Sequence, residues 1–130
     1  MRFKTIHLLV ALTFSVFVAK AVDVFDEVGS AIRSGDARLI ARYFNTNVDL
    51  TILNQEDVFS KAQAEMVLRD FFSKNAPKSF NIIHQGVSKE GAKYAIGTLT
   101  TAQGQTYRTY FFVKESGGTA FIQELRFERE

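Results

Sequence analysis

Between Ser79 and Glu128 the chain runs through four stretches dense in Phe, Tyr, Ile, Val and Thr, parted by Lys89-Glu90-Gly91, Ala102-Gln103-Gly104 and Glu115-Ser116-Gly117-Gly118. Aromatic and β-branched runs bounded by short glycine-bearing breaks predict strands joined by hairpins, hence a four-stranded antiparallel meander. Such a sheet alone leaves one apolar face wet, so the residues upstream must supply a cover.

Their spacing suits that task. Asp23 precedes Val24, Phe25, Val28, Ala31 and Ile32 at three-to-four intervals, and Gly35 follows where a helix of about 12 residues ends in the left-handed conformation. Asp36 restarts a shorter helix bearing Leu39, Ile40, Tyr43 and Phe44, with Asn45-Thr46-Asn47 as its stop. Val48, Leu50 and Ile52 then alternate with Asp49 and Thr51, which predicts a half-buried strand with a short return around Val58 and Phe59. Ser60 and Gln63 form a capping box ahead of a third helix striped by Ala64, Val67, Leu68, Phe71 and Phe72. Its polar side pairs Glu65 with Arg69 and Asp70 with Lys74, and Pro77 closes it by restricting Ala76.

Turn chemistry decides which residues of the meander share a face. A two-residue loop at Lys89-Glu90-Gly91 forces positive φ on Glu90, whereas a three-residue loop asks it only of Gly91. The three-residue loop pairs Ser88 with Ala92 and sets Phe80, Ile82, His84 and Gly86 beside Tyr94, Ile96, Thr98 and Thr100, the set expected to face the helices. At the second turn, a three-residue loop brings Arg108, Tyr110 and Phe112 to that face, while a two- or four-residue loop brings Tyr107, Thr109, Phe111 and Val113. Apolar bulk favours the latter. In the last strand Phe121, Gln123, Leu125 and Phe127 are expected inside, and Gly86 and Gly97 mark bends or bulges.

With 130 residues, 46% hydrophobic and 23% charged, the chain suffices for one globular core. Its first residues read differently. Arg2 and Lys4 precede an apolar run from Ile6 to Ala19, and Ala19-Lys20-Ala21 has the small residues of a cleavage site, so residues 1–21 are expected to be a signal peptide and 22–130 a single domain. The run is shorter than the roughly 20 residues of a membrane span and holds His7, Thr13 and Ser15, so no span is expected in the mature protein. Cleavage removes Arg2, Lys4 and Lys20 and leaves 13 basic against 14 acidic residues, a formal charge of −1. A near-neutral domain lacks the electrostatic footprint for nucleic acid, and the absence of cysteine removes disulfides and thiolate metal sites. The expected destination is the periplasm or the medium.

Helix, short helix, strand pair, helix and curved meander, in that order, resemble the nuclear transport factor 2-like (cystatin-like cone) superfamily across residues 23–130. Gly35-Asp36-Ala37 to Tyr43-Phe44, the Ser60 to Asn75 helix with Phe71-Phe72, and His84-Gln85-Gly86-Val87-Ser88 resemble a family of small exported bacterial proteins of unknown function. The resemblance implies an α+β fold, N-terminal helices on a strongly curved antiparallel sheet, with a cone that in relatives hosts isomerases, dehydratases and pure binding domains. The trio of a ketosteroid-type isomerase, a carboxylate base facing a Tyr and a protonated carboxylic acid, has no counterpart, since Glu124 and Glu128 are expected on the outer face.

His84 is the only histidine after the leader, which excludes a multi-histidine metal site, and no cofactor is expected. His84, Tyr94, Tyr107 and Tyr43 are the candidate ligand-binding residues, each also readable as a core residue with a satisfied polar tip. The expected function is an exported, non-catalytic binding or interaction domain whose cone holds a small apolar or amphipathic ligand or simply a core. The alternative is an isomerase- or dehydratase-type enzyme using His84 with a Tyr in the cone. Tyr110, Phe112 and Ile122 among Arg108, Lys114, Glu124 and Arg126 predict a homodimer through the outer sheet face.

Overall fold

The computed structural model describes residues 23–130, so the expected signal peptide lies outside the described residues. Helix α1 (Val24–Ser34) begins where the Asp23 carboxylate accepts the Phe25 amide at 2.9 Å and ends at Gly35, with Phe25, Val28, Ala31 and Ile32 buried as the spacing predicts. Asp36 likewise caps α2 (Ala37–Ala41), accepting the Leu39 amide at 3.1 Å. The chain then leaves the helix sooner than expected. Strand β1 (Phe44–Ile52) takes Asn45, Thr46 and Asn47 into the sheet, because Tyr43 O already accepts the Ile122 amide at 2.6 Å and Phe44 pairs with Ile122. After a turn at Leu53 and Asn54 the chain returns as β2 (Gln55–Ser60). Both halves of the Ser60–Gln63 capping box form at the start of α3 (Lys61–Lys74), whose Ala64, Leu68, Phe71 and Phe72 are buried.

The meander follows as β3 (Pro77–Val87), β4 (Lys93–Thr101), β5 (Thr106–Ser116) and β6 (Thr119–Arg129). It joins the first two strands in one six-stranded sheet of order β2-β1-β6-β5-β4-β3. The join is a parallel pairing of β1 with β6. Every other neighbouring pair is antiparallel.

Both turns are three-residue loops, as expected at Lys89-Glu90-Gly91 and against the two- or four-residue loop that apolar bulk favoured at Ala102-Gln103-Gly104. The Ser88 amide donates to Ala92 O at 2.7 Å with Gly91 at φ 75°, and the Thr101 amide donates to Gln105 O at 2.8 Å with Gly104 at φ 86°. Only glycine takes those φ values without strain. Tyr94, Ile96 and Thr98 therefore share a face with Phe112, Tyr110 and Arg108. That face looks away from the helices. The inward set is Ala95 and Leu99 with Tyr107, Thr109, Phe111 and Val113, so Tyr107 and Phe111 go inside as expected whereas Tyr94 and Ile96 do not. The concave side of a curved sheet has little room, and β4 meets it with Ala95 and Gly97 while the large rings come from β1, β3, β5, β6 and the helices.

Two bulges complete the correction. Irregular pairing between Ile82 and His84 turns Phe80 inward against Leu99 and leaves His84 outside beside Ile96. Irregular pairing at Gln123 turns Ile122 inward in place of Phe121, with Leu125 and Phe127 inside beyond it. Ile122, expected on the dimer face, is thus a core residue. The core closes around Phe71, stacked on Phe127 at 5.0 Å and edge-on to Tyr107 at 5.5 Å, with Phe25 edge-on to Phe111 at 5.6 Å.

Candidate functional site

No charged side chain is buried among the described residues; the buried polar ones are Thr51, Thr101 and Thr109. Among the described residues the one ionisable group buried in the core is the Tyr107 phenol, and it is already hydrogen-bonded. Tyr107 is 3% exposed, and its hydroxyl is held by Asn75 at 2.8 Å and Gln105 at 2.6 Å. Asn75 sits just past the end of α3, so this contact ties the helix terminus to β5.

Polar and aromatic chemistry is concentrated on the outer face. Strand alternation and register lay out parallel rows across the sheet. One runs Glu56, Thr51, Arg126, Tyr110, Ile96, His84; the next runs Val58, Asp49, Glu124, Phe112, Tyr94, Gly86. At one end His84 Nε2 lies 3.2 Å from the Tyr94 hydroxyl, and Tyr94 stacks on Tyr110 at 6.2 Å. The Tyr94 ring covers Gly86 so closely that a Cβ there has no space. Arg126 stands over the Tyr110 ring at 5.1 Å and pairs with Glu124. Burial, and then the nearby Glu124 charge, hold the Tyr110 hydroxyl above the ordinary tyrosine range.

At the far end Glu56 lies beside Asp49. Hydrogen bonding to Asp49, and then the like charge of the same group, raise the Glu56 carboxyl above the ordinary glutamate range. Asp49 Oδ1 and Thr51 Oγ1 are buried at this edge without hydrogen-bond partners. Sequence reading missed this cluster, because only the parallel β1–β6 pairing brings Asp49 beside Glu124 and Thr51 beside Arg126.

The four expected site residues do not converge. His84 and Tyr94 meet on the outer face and Tyr107 lies in the core. Tyr43 stands apart, half-buried near Glu27, its hydroxyl pushed up by burial and then by that carboxylate. An open cleft of about 790 Å³ lies at the cone mouth, lined by Asp23, Phe25, Gln85, Lys93, Glu115 and Ala120 among others, and none of the four lines it. No helix among the described residues is long and apolar enough to cross a membrane. Nor do these residues hold a cluster of His, Cys, Asp or Glu suited to a metal ion.

Helices held in the concavity of a curved six-stranded sheet make this an α+β protein of the nuclear transport factor 2-like cone type. A designed NTF2 chain with a long sheet has the same fold, at TM-score 0.63 and 20% identity over 78% of this chain and 94% of that one. More specifically, the chain belongs to the family described as Domain of unknown function (DUF4783), whose model matches residues 25–128. A DUF4783 protein from Bacteroides fragilis is 32% identical over 80% of this chain and 96% of that chain, with TM-score 0.73. Another from Bacteroides uniformis is 30% identical over 83% and 98%, with TM-score 0.76. No curated protein matches the chain.

Proposed function

We propose that this chain is a non-catalytic interaction domain that forms a homodimer through the outer face of its sheet. The observation that carries the reading is the division of labour between the two faces. The inner face is filled by the aromatic core, while the outer face presents Tyr94, Ile96, Tyr110 and Phe112, all half-buried, within a rim of Arg108, Lys114, Glu124 and Glu128. An aromatic centre inside a charged rim is the anatomy of an interface. Room for a small ligand lies in the cleft at the mouth and not among the core aromatics. The enzyme alternative would rest on the His84–Tyr94 contact, which lies on an exposed surface.

Residues 1–21 are proposed to be removed on export, so that the protein works in the periplasm or the medium. Support comes from Arg2, Lys4, the apolar run and Ala19-Lys20-Ala21. Native mass spectrometry of protein purified from the exported fraction tests both points together. A dimer beginning at Val22 is expected; a strict monomer at micromolar concentration contradicts the first point, and retained leader mass contradicts the second.

A further inference from the structure

We infer that the two copies pack about a two-fold axis running along the strands, so that the Arg108 side of one outer face lies on the Glu128 side of the other; this rests on the dimer reading above. Sheets packed face to face in the aligned mode keep their strands within about 30° of each other. Two in-plane axes satisfy that condition, one along the strands and one across them. The charge pattern chooses between them.

Asp49, Glu56, Glu124 and Glu128 stand on β1, β2 and β6, one half of the sheet order. Arg108 and Lys114 stand on β5 and His84 on β3, the other half. Among the described residues, Arg108 and Lys114 have no ion-pair partner, while Arg126 is committed to Glu124. An axis across the strands lays each strand on its own copy and sets the acidic strands β1 and β2 against themselves. An axis along the strands, between β5 and β6, exchanges the halves. Each row then meets its own reverse: Glu128 faces Arg108, Arg126 faces Tyr110 and Glu56 faces His84. The aromatic centre is buried in either arrangement, and an axis across the strands can lay Arg126 on Glu124 or Glu128 within β6, but only the axis along the strands gives the unpaired Arg108 an acidic partner and keeps β1 and β2 off their own copies, which is how electrostatics selects register.

Charge reversal tests the axis. In Arg108→Glu every contact of this kind sets Glu against Glu, and in Glu128→Arg it sets Arg against Arg. Each variant alone is expected to self-associate about tenfold or more weakly than the wild type. Mixed in equal amounts they are expected to form a heterodimer, because both contacts between the copies are then of opposite sign. Arg108 and Glu128 are also neighbours within one chain, and mixing leaves that internal repulsion unrepaired. Recovery on mixing thus reports the contact between copies, read by sedimentation velocity and native mass spectrometry. Should either variant fail to show the wild-type circular dichroism spectrum, Arg108→Asp with Glu128→Lys makes the same test. A monomeric wild type overturns the dimer and the axis together. A dimeric wild type whose variants still self-associate, or do not recover on mixing, overturns the axis and leaves the dimer standing.

Discussion

Replacing Gly97 by alanine asks whether the sheet is as tightly bent as the register implies. A Cβ at this position stands 2.7 Å from Asn81 O and 2.7 Å from Phe80 Cζ. The first is backbone of the neighbouring strand at the β3 bulge, and the second belongs to a fully buried ring. Neither moves cheaply, so the variant falls toward the upper end of the usual overpacking cost, about 2–3 kcal/mol. For a domain of this size that lowers Tm by about 10 °C or more. Gly29→Ala is the internal control. Its Cβ meets Phe80 and Ile82 at 3.5–3.6 Å, ordinary contact, inside α1. Helix propensity then favours alanine by about 0.5–1 kcal/mol. Urea unfolding followed by circular dichroism, with m held against the wild type, reads both. Gly97→Ala within about 0.5 kcal/mol of wild type would refute the reasoning, since the strand would then have space it is said to lack.

Three further outcomes follow from single contacts. Tyr107→Phe loses the hydroxyl held by Asn75 and Gln105 and should cost about 1 kcal/mol in urea unfolding; an unchanged midpoint would return Tyr107 to the list of ligand contacts. Ser60→Ala breaks the capping box of α3 and should cost about 1 kcal/mol, a figure that loss of helix-end protection in hydrogen exchange would corroborate. Glu56→Gln tests the pH linkage. A carboxyl held above its unfolded value in the folded state destabilises the protein as pH rises through and beyond the ordinary glutamate range, and that penalty is absent below it. The variant should therefore gain stability relative to wild type at pH 7 and not at pH 4; an equal difference at both would remove Asp49 as the cause.

Much of this architecture is legible in the chain because it is local. Caps at Asp23, Asp36 and Ser60, the stop at Gly35 and the core stripe on the third helix depend on residues within one or two turns. The same holds for the glycine at each hairpin. What the sequence conceals is parity over distance. A single extra residue near Ile83 or Gln123 turns the rest of a strand over, and nothing in its side chain announces it. Bulk misleads in the same way: Tyr94 and Ile96 are larger than Ala95 and Gly97, yet the concave side takes the small pair because Phe80 and Phe111 already fill it. The turn rule that placed Gly91 correctly gives the right answer at Gly104 once the inner face is assigned to the small residues. The carboxylate edge of Asp49, Glu56 and Glu124 depends on a parallel pairing between strands more than 60 residues apart, beyond any local pattern.

Sedimentation velocity of the wild type and of Tyr110→Glu at micromolar concentration bears most directly on the outer face as the working surface. Tyr110 stands at the middle of that face, stacked on Tyr94 and beneath Arg126, and its side chain points away from the core. The wild type should sediment as a dimer and Tyr110→Glu as a folded monomer with an unchanged circular dichroism spectrum. A wild-type monomer, or a variant that remains as dimeric as its parent, would contradict the assignment.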